Sequence, residues 1–385
     1  MTRILPVLLA LTLALPGIVE AQSVLARGGL GIPSEPLDAR TRALGGVGVG
    51  LTGWALQPTD PAAAAGIRLP TIAATFQPGT ASVEGGENAG HTRFPILGVS
   101  YPFGANTLFL TFNSYMDSEW EVRAPVLLDL ADREVEGEDI FRSDGGMGQV
   151  RLGWARRLTD AWAVGISAGQ LTGSLDRSFT RELDPEEIGS DVSSFRRQGR
   201  WTASGSVVSG SVSWSPTDLI RIGAGVAWTD QLRLDPSGDT EGDRRSYTLP
   251  TEYRVGGTLT LSPRLALALG VTWADWSEMN GELEEGGTRG ETLTWGGGVE
   301  WTGGSVLGRP FPLRLGYREQ ELPFLYDGEA GSESAWTGGF GVNLADFEDV
   351  PVARLEVGFQ RGTRNAGPLS EDFWRTTVSL RLAGG

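Results

Sequence analysis

The sequence predicts an all-β fold, a transmembrane antiparallel β-barrel of about 14 strands. Three observations predict it. Apolar residues recur at every second position through most of the chain. Beyond the first residues, no stretch reaches the roughly 18 consecutive apolar residues that a membrane helix needs. Connections between the alternating segments are short and long in turn.

Residues 1–21 have the three parts of a secretory signal. Arg3 supplies a positive start, Ile4 to Val19 is almost wholly apolar, and Val19-Glu20-Ala21 offers small residues at a cleavage site. Residues 22–69 form a separate segment rich in glycine and small residues. Residues 70–385 carry the alternation.

Period two is explicit in several stretches. Ile220, Ile222, Ala224, Val226 and Trp228 share one face, opposite Arg221, Gly223, Gly225 and Ala227. Leu265, Leu267, Leu269, Val271 and Trp273 oppose Ala266, Ala268, Gly270 and Thr272, and Trp374, Val378 and Leu380 oppose Arg375, Ser379 and Arg381. The pattern predicts strands at 70–80, 93–102, 106–117, 147–157, 161–175, 197–214, 218–231, 247–261, 265–277, 291–303, 311–319, 334–345, 351–362 and 372–383. Most hold the roughly 9 to 11 residues that a tilted strand needs to cross a bilayer.

Short turns are expected at PFGAN, RLTDA, SPTD, SPR and ADFEDVP, and long polar loops at 81–92, 118–146, 176–196, 232–246, 278–290, 320–333 and 363–371. Short turns on the periplasmic side and long loops outside are the habit of outer-membrane barrels. Tryptophan reinforces this. Trp154, Trp162, Trp214 and Trp301 fall near short turns, and Trp228, Trp273, Trp276, Trp336 and Trp374 near long loops, as two interfacial belts would place them.

The polar faces carry Arg151, Arg221, Arg254, Arg314, Arg318, Arg354, Glu356, Gln360, Arg375 and Arg381. A charge facing lipid costs about 2 to 4 kcal/mol near the midplane, so these side chains are expected to point inward. There they either brace the wall through ion pairs or line a permeation path.

Composition excludes several functions. The formal charge of −16 disfavours nucleic acid, and the absence of cysteine removes disulfides and thiol chemistry. All 32 basic residues are arginine. His91, the single histidine, falls in an expected loop, and no serine sits in a nucleophile elbow, so neither an enzyme nor a cofactor is expected. The outer loops are acidic; Asp239, Glu241 and Asp243 alternate as a calcium loop begins, but Pro250 stands where the closing glutamate belongs.

The N-terminal segment carries a resemblance. Ala39-Arg40, Gly45-Gly46 and Val49, followed by Asp60-Pro61-Ala62 and a first strand, resemble the signature of the FadL-like outer-membrane transporters, including the related PorV-type barrels. In that family the last triplet is Asn-Pro-Ala; Asp60 takes the place of the asparagine. The resemblance implies a fourteen-stranded barrel whose N-terminal segment folds into the lumen as a hatch. It implies outer-membrane transport of hydrophobic small molecules, such as long-chain fatty acids or aromatic compounds, in a diderm bacterium. The expected partners are outer-membrane lipids and that ligand. Two alternatives remain open: a PorV-type scaffold with a secretion-system partner, or a general diffusion porin.

Overall fold

A computed structural model describes residues 23–384 except 54, 84–88, 131–132, 184–194, 284–285, 307 and 348–349. The expected signal at 1–21 lies outside the described residues. No described helix is long and apolar enough to cross a membrane.

Eighteen strands follow one another: β1 (Ile32–Pro33), β2 (Thr71–Val83), β3 (Ala89–Phe103), β4 (Asn106–Asp117), β5 (Trp120–Leu130), β6 (Arg133–Arg157), β7 (Trp162–Leu183), β8 (Phe195–Thr217) and β9 (Ile220–Thr229), then β10 (Leu232–Ser237), β11 (Arg245–Tyr247), β12 (Glu252–Ser262), β13 (Leu265–Asp275), β14 (Glu291–Val306), β15 (Arg309–Tyr326), β16 (Glu329–Phe347), β17 (Val350–Ala366) and β18 (Leu369–Ala383). Four of them, β1, β5, β10 and β11, are accessory. The other fourteen pair antiparallel with their neighbours, and β18 pairs with β2 to close the barrel.

The two faces of the wall are those that the alternation predicts. Leu269 is 69% and Trp336 65% exposed on the outside, whereas Arg318 is 1% exposed within. Trp162 stacks on Trp214 near one rim, with ring centroids 5.7 Å apart, and Trp228, Trp336 and Trp374 are exposed nearer the other. Trp276 departs from the belt. It is buried and meets Phe324 edge-on, in an apolar cluster with Leu232, Leu234, Tyr247 and Met279.

Three expected loops are strand instead. The segment 118–146 is a hairpin of β5 against the outer half of β6. Segments 320–333 and 363–371 are strand extensions that close in tight turns, one at Asp327-Gly328, where both residues have positive φ as a two-residue hairpin turn requires. Beyond the bilayer both faces of a strand meet water, so the alternation that reveals a strand is lost. His91 is likewise not in a loop. It pairs with Gly79 inside β3, and its Nε2 is buried without a hydrogen-bond partner.

Candidate functional site

The N-terminal segment threads the barrel lengthwise. Ser23 starts beside Glu371 at the outer end of β18, accepting from Arg364 and donating to Glu371. Helix α1 (Ala39–Ala43) follows, capped by Asp38, whose Oδ1 accepts from the Thr41 amide at 2.8 Å. A 3-10 turn at Pro61–Gly66 then leads to β2. Pro61 opens that turn, where its missing N–H costs nothing.

This segment seats against a collar of glycines on the lumen face. A Cβ added to Gly358 of β17 would stand 2.7 Å from the Ala39 carbonyl oxygen, and one on Gly316 of β15 would stand 2.7 Å from the Gly45 nitrogen. The same holds across the barrel for Gly256 of β12 against Val49 and for Gly223 of β9 against Gly50, at 2.7 and 2.6 Å. Backbone packs on backbone around most of the circumference. A residue with any side chain there would displace the hatch.

Ion pairs lock what the glycines admit. Arg40 forks onto Glu300, which also accepts from Arg314 Nε at 2.6 Å. Arg314 reaches on to Glu356, and Glu356 accepts from Arg354 Nε at 2.8 Å. Higher in the lumen, Arg318 donates to Glu35 of the hatch at 2.5 Å. Burial alone would raise the Glu35 carboxyl, but the facing Arg318 and Arg42 guanidiniums overcome it and hold it below its ordinary value. Near the outer end Glu333 accepts from both Arg364 and Arg375.

Asp60 is anchored differently. Its Oδ1 accepts from Ser211 Oγ at 2.8 Å and its Oδ2 from the Gly50 amide at 3.2 Å, while Ser211 Oγ accepts from the Ala62 amide. Burial raises the Asp60 carboxyl above the ordinary aspartate value, against those hydrogen bonds.

The wall is interrupted at one place. The ladder between β3 and β4 runs from Phe103–Asn106 only as far as Leu97–Phe112. Above it, β3 stays with β2 through Arg93 to Ala89, after an irregularity that holds one extra residue at Phe94-Pro95. Pro95 has no N–H to give a ladder. Along the split, Ser114 Oγ donates to the Phe94 carbonyl and Arg93 donates to Asp117 at 2.5 Å. The open edge of β4 is taken by the hatch: Ile32 and Pro33 pair with Asp117 and Met116, and the Ser34 amide donates to the Tyr115 carbonyl at 2.8 Å.

Met116, at this edge, belongs to the apolar cluster that fills the outer lumen with Leu30, Met147 and Leu171. Trp201 and Leu283 pack against that cluster and also line a vestibule of about 970 Å³ at the mouth, between the outer parts of β5 to β8 and the 239–247 segment. Vestibule, apolar cluster and wall split are contiguous.

Among the residues singled out from the sequence, Gly45, Gly46, Asp60, Pro61 and Ala62 lie within the hatch, at or beside its contacts with the wall. Arg151, Arg314, Arg375 and Glu356 are buried on the lumen face, with Arg221 and Arg354 partly so. Arg151 meets Gln149, Ser209 and the Pro58 carbonyl; Arg221 donates to Ser213. Asp239, Glu241 and Asp243 are exposed, and no group of three or more His, Asp or Glu suited to a metal ion occurs among the described residues. Sequence reading missed Glu35, Glu300 and Glu333, and it missed the wall split, for which Pro95 inside an alternating run was the available signal.

No family model and no curated protein matches the sequence. Solved structures do match in fold. The Ralstonia pickettii toluene transporter TbuX is similar over 91% of this chain and 99% of its own, at 14% identity and a TM-score of 0.60. A Pseudomonas aeruginosa FadL homologue matches over 92% and 99%, at 13% identity and 0.62. The CymD monoaromatic hydrocarbon channel matches over 96% and 98%, at 13% identity and 0.57. Of these three, one is described as a toluene transporter and one as a monoaromatic hydrocarbon channel. With its closed fourteen-stranded wall and almost no helix, the chain has the fold of the FadL-type outer-membrane barrels.

Proposed function

We propose that this protein sits in the outer membrane of a diderm bacterium and takes up hydrophobic small molecules, releasing them sideways through the split between β3 and β4. The observation that carries the reading is the pairing of a blocked axis with an interrupted wall. Glycine-to-hatch contacts and buried ion pairs oppose passage down the lumen, while an apolar cluster leads from the mouth to the β4 edge. Apolar solutes gain by moving from that cluster into lipid rather than into periplasmic water. The names of the similar structures, toluene transporter and monoaromatic hydrocarbon channel, support the substrate class by analogy of fold.

On this reading Gly45, Gly46, Asp60, Pro61 and Ala62 seat the plug, and Arg314, Arg354, Arg375 and Glu356 brace it and the wall rather than form a selectivity ring. The blocked axis argues against an open diffusion pore.

The chain lacks cysteine, so a staple across the split can be introduced cleanly. In Arg93→Cys/Asp117→Cys, a cleavable bis-maleimide should abolish uptake of labelled toluene and of a labelled long-chain fatty acid, and cleavage should restore it. Unchanged uptake in the stapled protein would refute lateral release. Absence of uptake by the unmodified protein would refute transport.

A further inference from the structure

We propose that the outer vestibule selects aromatic carboxylates, the guanidinium groups of Arg27 and Arg197 taking the anionic head and the walls of Trp120, Phe179 and Trp201 taking the ring. This rests on the transport reading and adds to it a preference for an anionic head group. Six arginines and two carboxylates line the cavity, in a chain whose net charge is −16. Elsewhere inside the barrel several arginines sit against carboxylates, as Arg364 and Arg375 do on Glu333. Within the vestibule Arg142 is paired with Asp144 and Glu121, and Arg177 and Arg245 are engaged by neighbours. Arg27 and Arg197 make no ion pair or hydrogen bond among the described residues; both are exposed and line the cavity, Arg197 on the strand face it shares with its register partner Phe179.

The aromatic lining complements them. Phe179 is flanked by Phe141 and Phe195, at centroid distances of 5.0 and 6.1 Å. Arg245 already stacks over Trp201 at 5.2 Å, so these ring faces accept flat π and cationic partners. The Trp201 indole N–H is buried without a hydrogen-bond partner. About 970 Å³ suits a ligand of one to a few fused rings, and planar guanidiniums bind a carboxylate with two parallel bonds. A neutral hydrocarbon would draw nothing from the two guanidiniums, which water solvates, whereas a carboxylate would. The two carboxylates, Asp239 and Glu241, are themselves exposed and do not pair with them.

The test compares two ligands of equal shape on the full-length protein in lipid nanodiscs: 2-naphthoate and 2-naphthylmethanol, by equilibrium dialysis. The carboxylate should bind at least about tenfold more tightly, the ratio expected of a charge-assisted bond, and its advantage should shrink with added salt. Arg27→Gln/Arg197→Gln should erase the difference and leave the alcohol unchanged, whereas replacing the same two residues by lysine should keep most of it. Equal binding of both ligands by the unmodified protein would overturn the proposal while leaving lateral transport standing. Occupation by purified lipopolysaccharide in place of naphthoate would overturn it too. The staple experiment judges transport separately.

Discussion

Arg40 of the hatch and Glu300 of β14, 260 positions apart in the chain, meet through two parallel bonds: Nε to Oε2 at 2.9 Å and Nη2 to Oε1 at 2.8 Å. The pair ties the plug to the wall, and Arg314 shares the same carboxylate. Glu300→Gln leaves two guanidiniums short of a counter-charge and should cost about 3–5 kcal/mol, the usual penalty for breaking a buried pair. Urea unfolding in lipid vesicles measures it. Arg40→Met combined with Glu300→Gln should lose less than the sum of the two single changes; simple additivity would mean that the residues do not interact.

Gly316→Val tests the glycine collar. Its new Cβ would meet the Gly45 nitrogen at 2.7 Å, and overpacking of this kind costs about 1–3 kcal/mol. Because valine favours a strand, the loss should fall on the hatch and appear as raised single-channel conductance in planar bilayers. Gly338→Val on the neighbouring strand, where the nearest atom is 3.5 Å away, should conduct like the unmodified protein.

Asp60 makes hatch seating depend on pH. Burial raises its carboxyl above the ordinary value, so the group contributes fully below that value and its contribution is lost as pH rises through the raised one. Thermal stability in detergent should therefore fall as pH increases from about 4 to about 8 by more than in Asp60→Asn. Asparagine, the residue of the family motif, keeps an acceptor for the Gly50 amide and offers Ser211 a donor without a charge to desolvate. Identical pH slopes in the two proteins would remove Asp60 from the account.

Gly31→Val should detach β1 from the wall. Gly31 has φ of 110°, a region closed to valine, and an added Cβ would collide with the Asp117 carbonyl. The freed β4 edge, residues 114–117, should exchange its amide hydrogens about tenfold faster, equivalent to about 1.4 kcal/mol of lost local protection. Protection equal to the unmodified protein would show that β1 does not close the split.

Much of this protein was legible in one dimension. A strand that crosses a bilayer must show lipid one face and the lumen the other, so Leu265, Leu267 and Leu269 announce the outside and Arg375 and Arg381 the inside wherever lipid is present. That single boundary condition yields the strand count. Once a strand leaves the membrane the condition lapses, which hid the extensions of β6, β15 and β17. Partnership was hidden for another reason. Nothing in the order of residues says that Glu300 will face Arg40, that Gly316 will touch Gly45, or that Arg27 and Arg197 will line one vestibule. Those meetings depend on the register of many strands and on the path of the hatch through their lumen, and closure of the barrel fixes both at once.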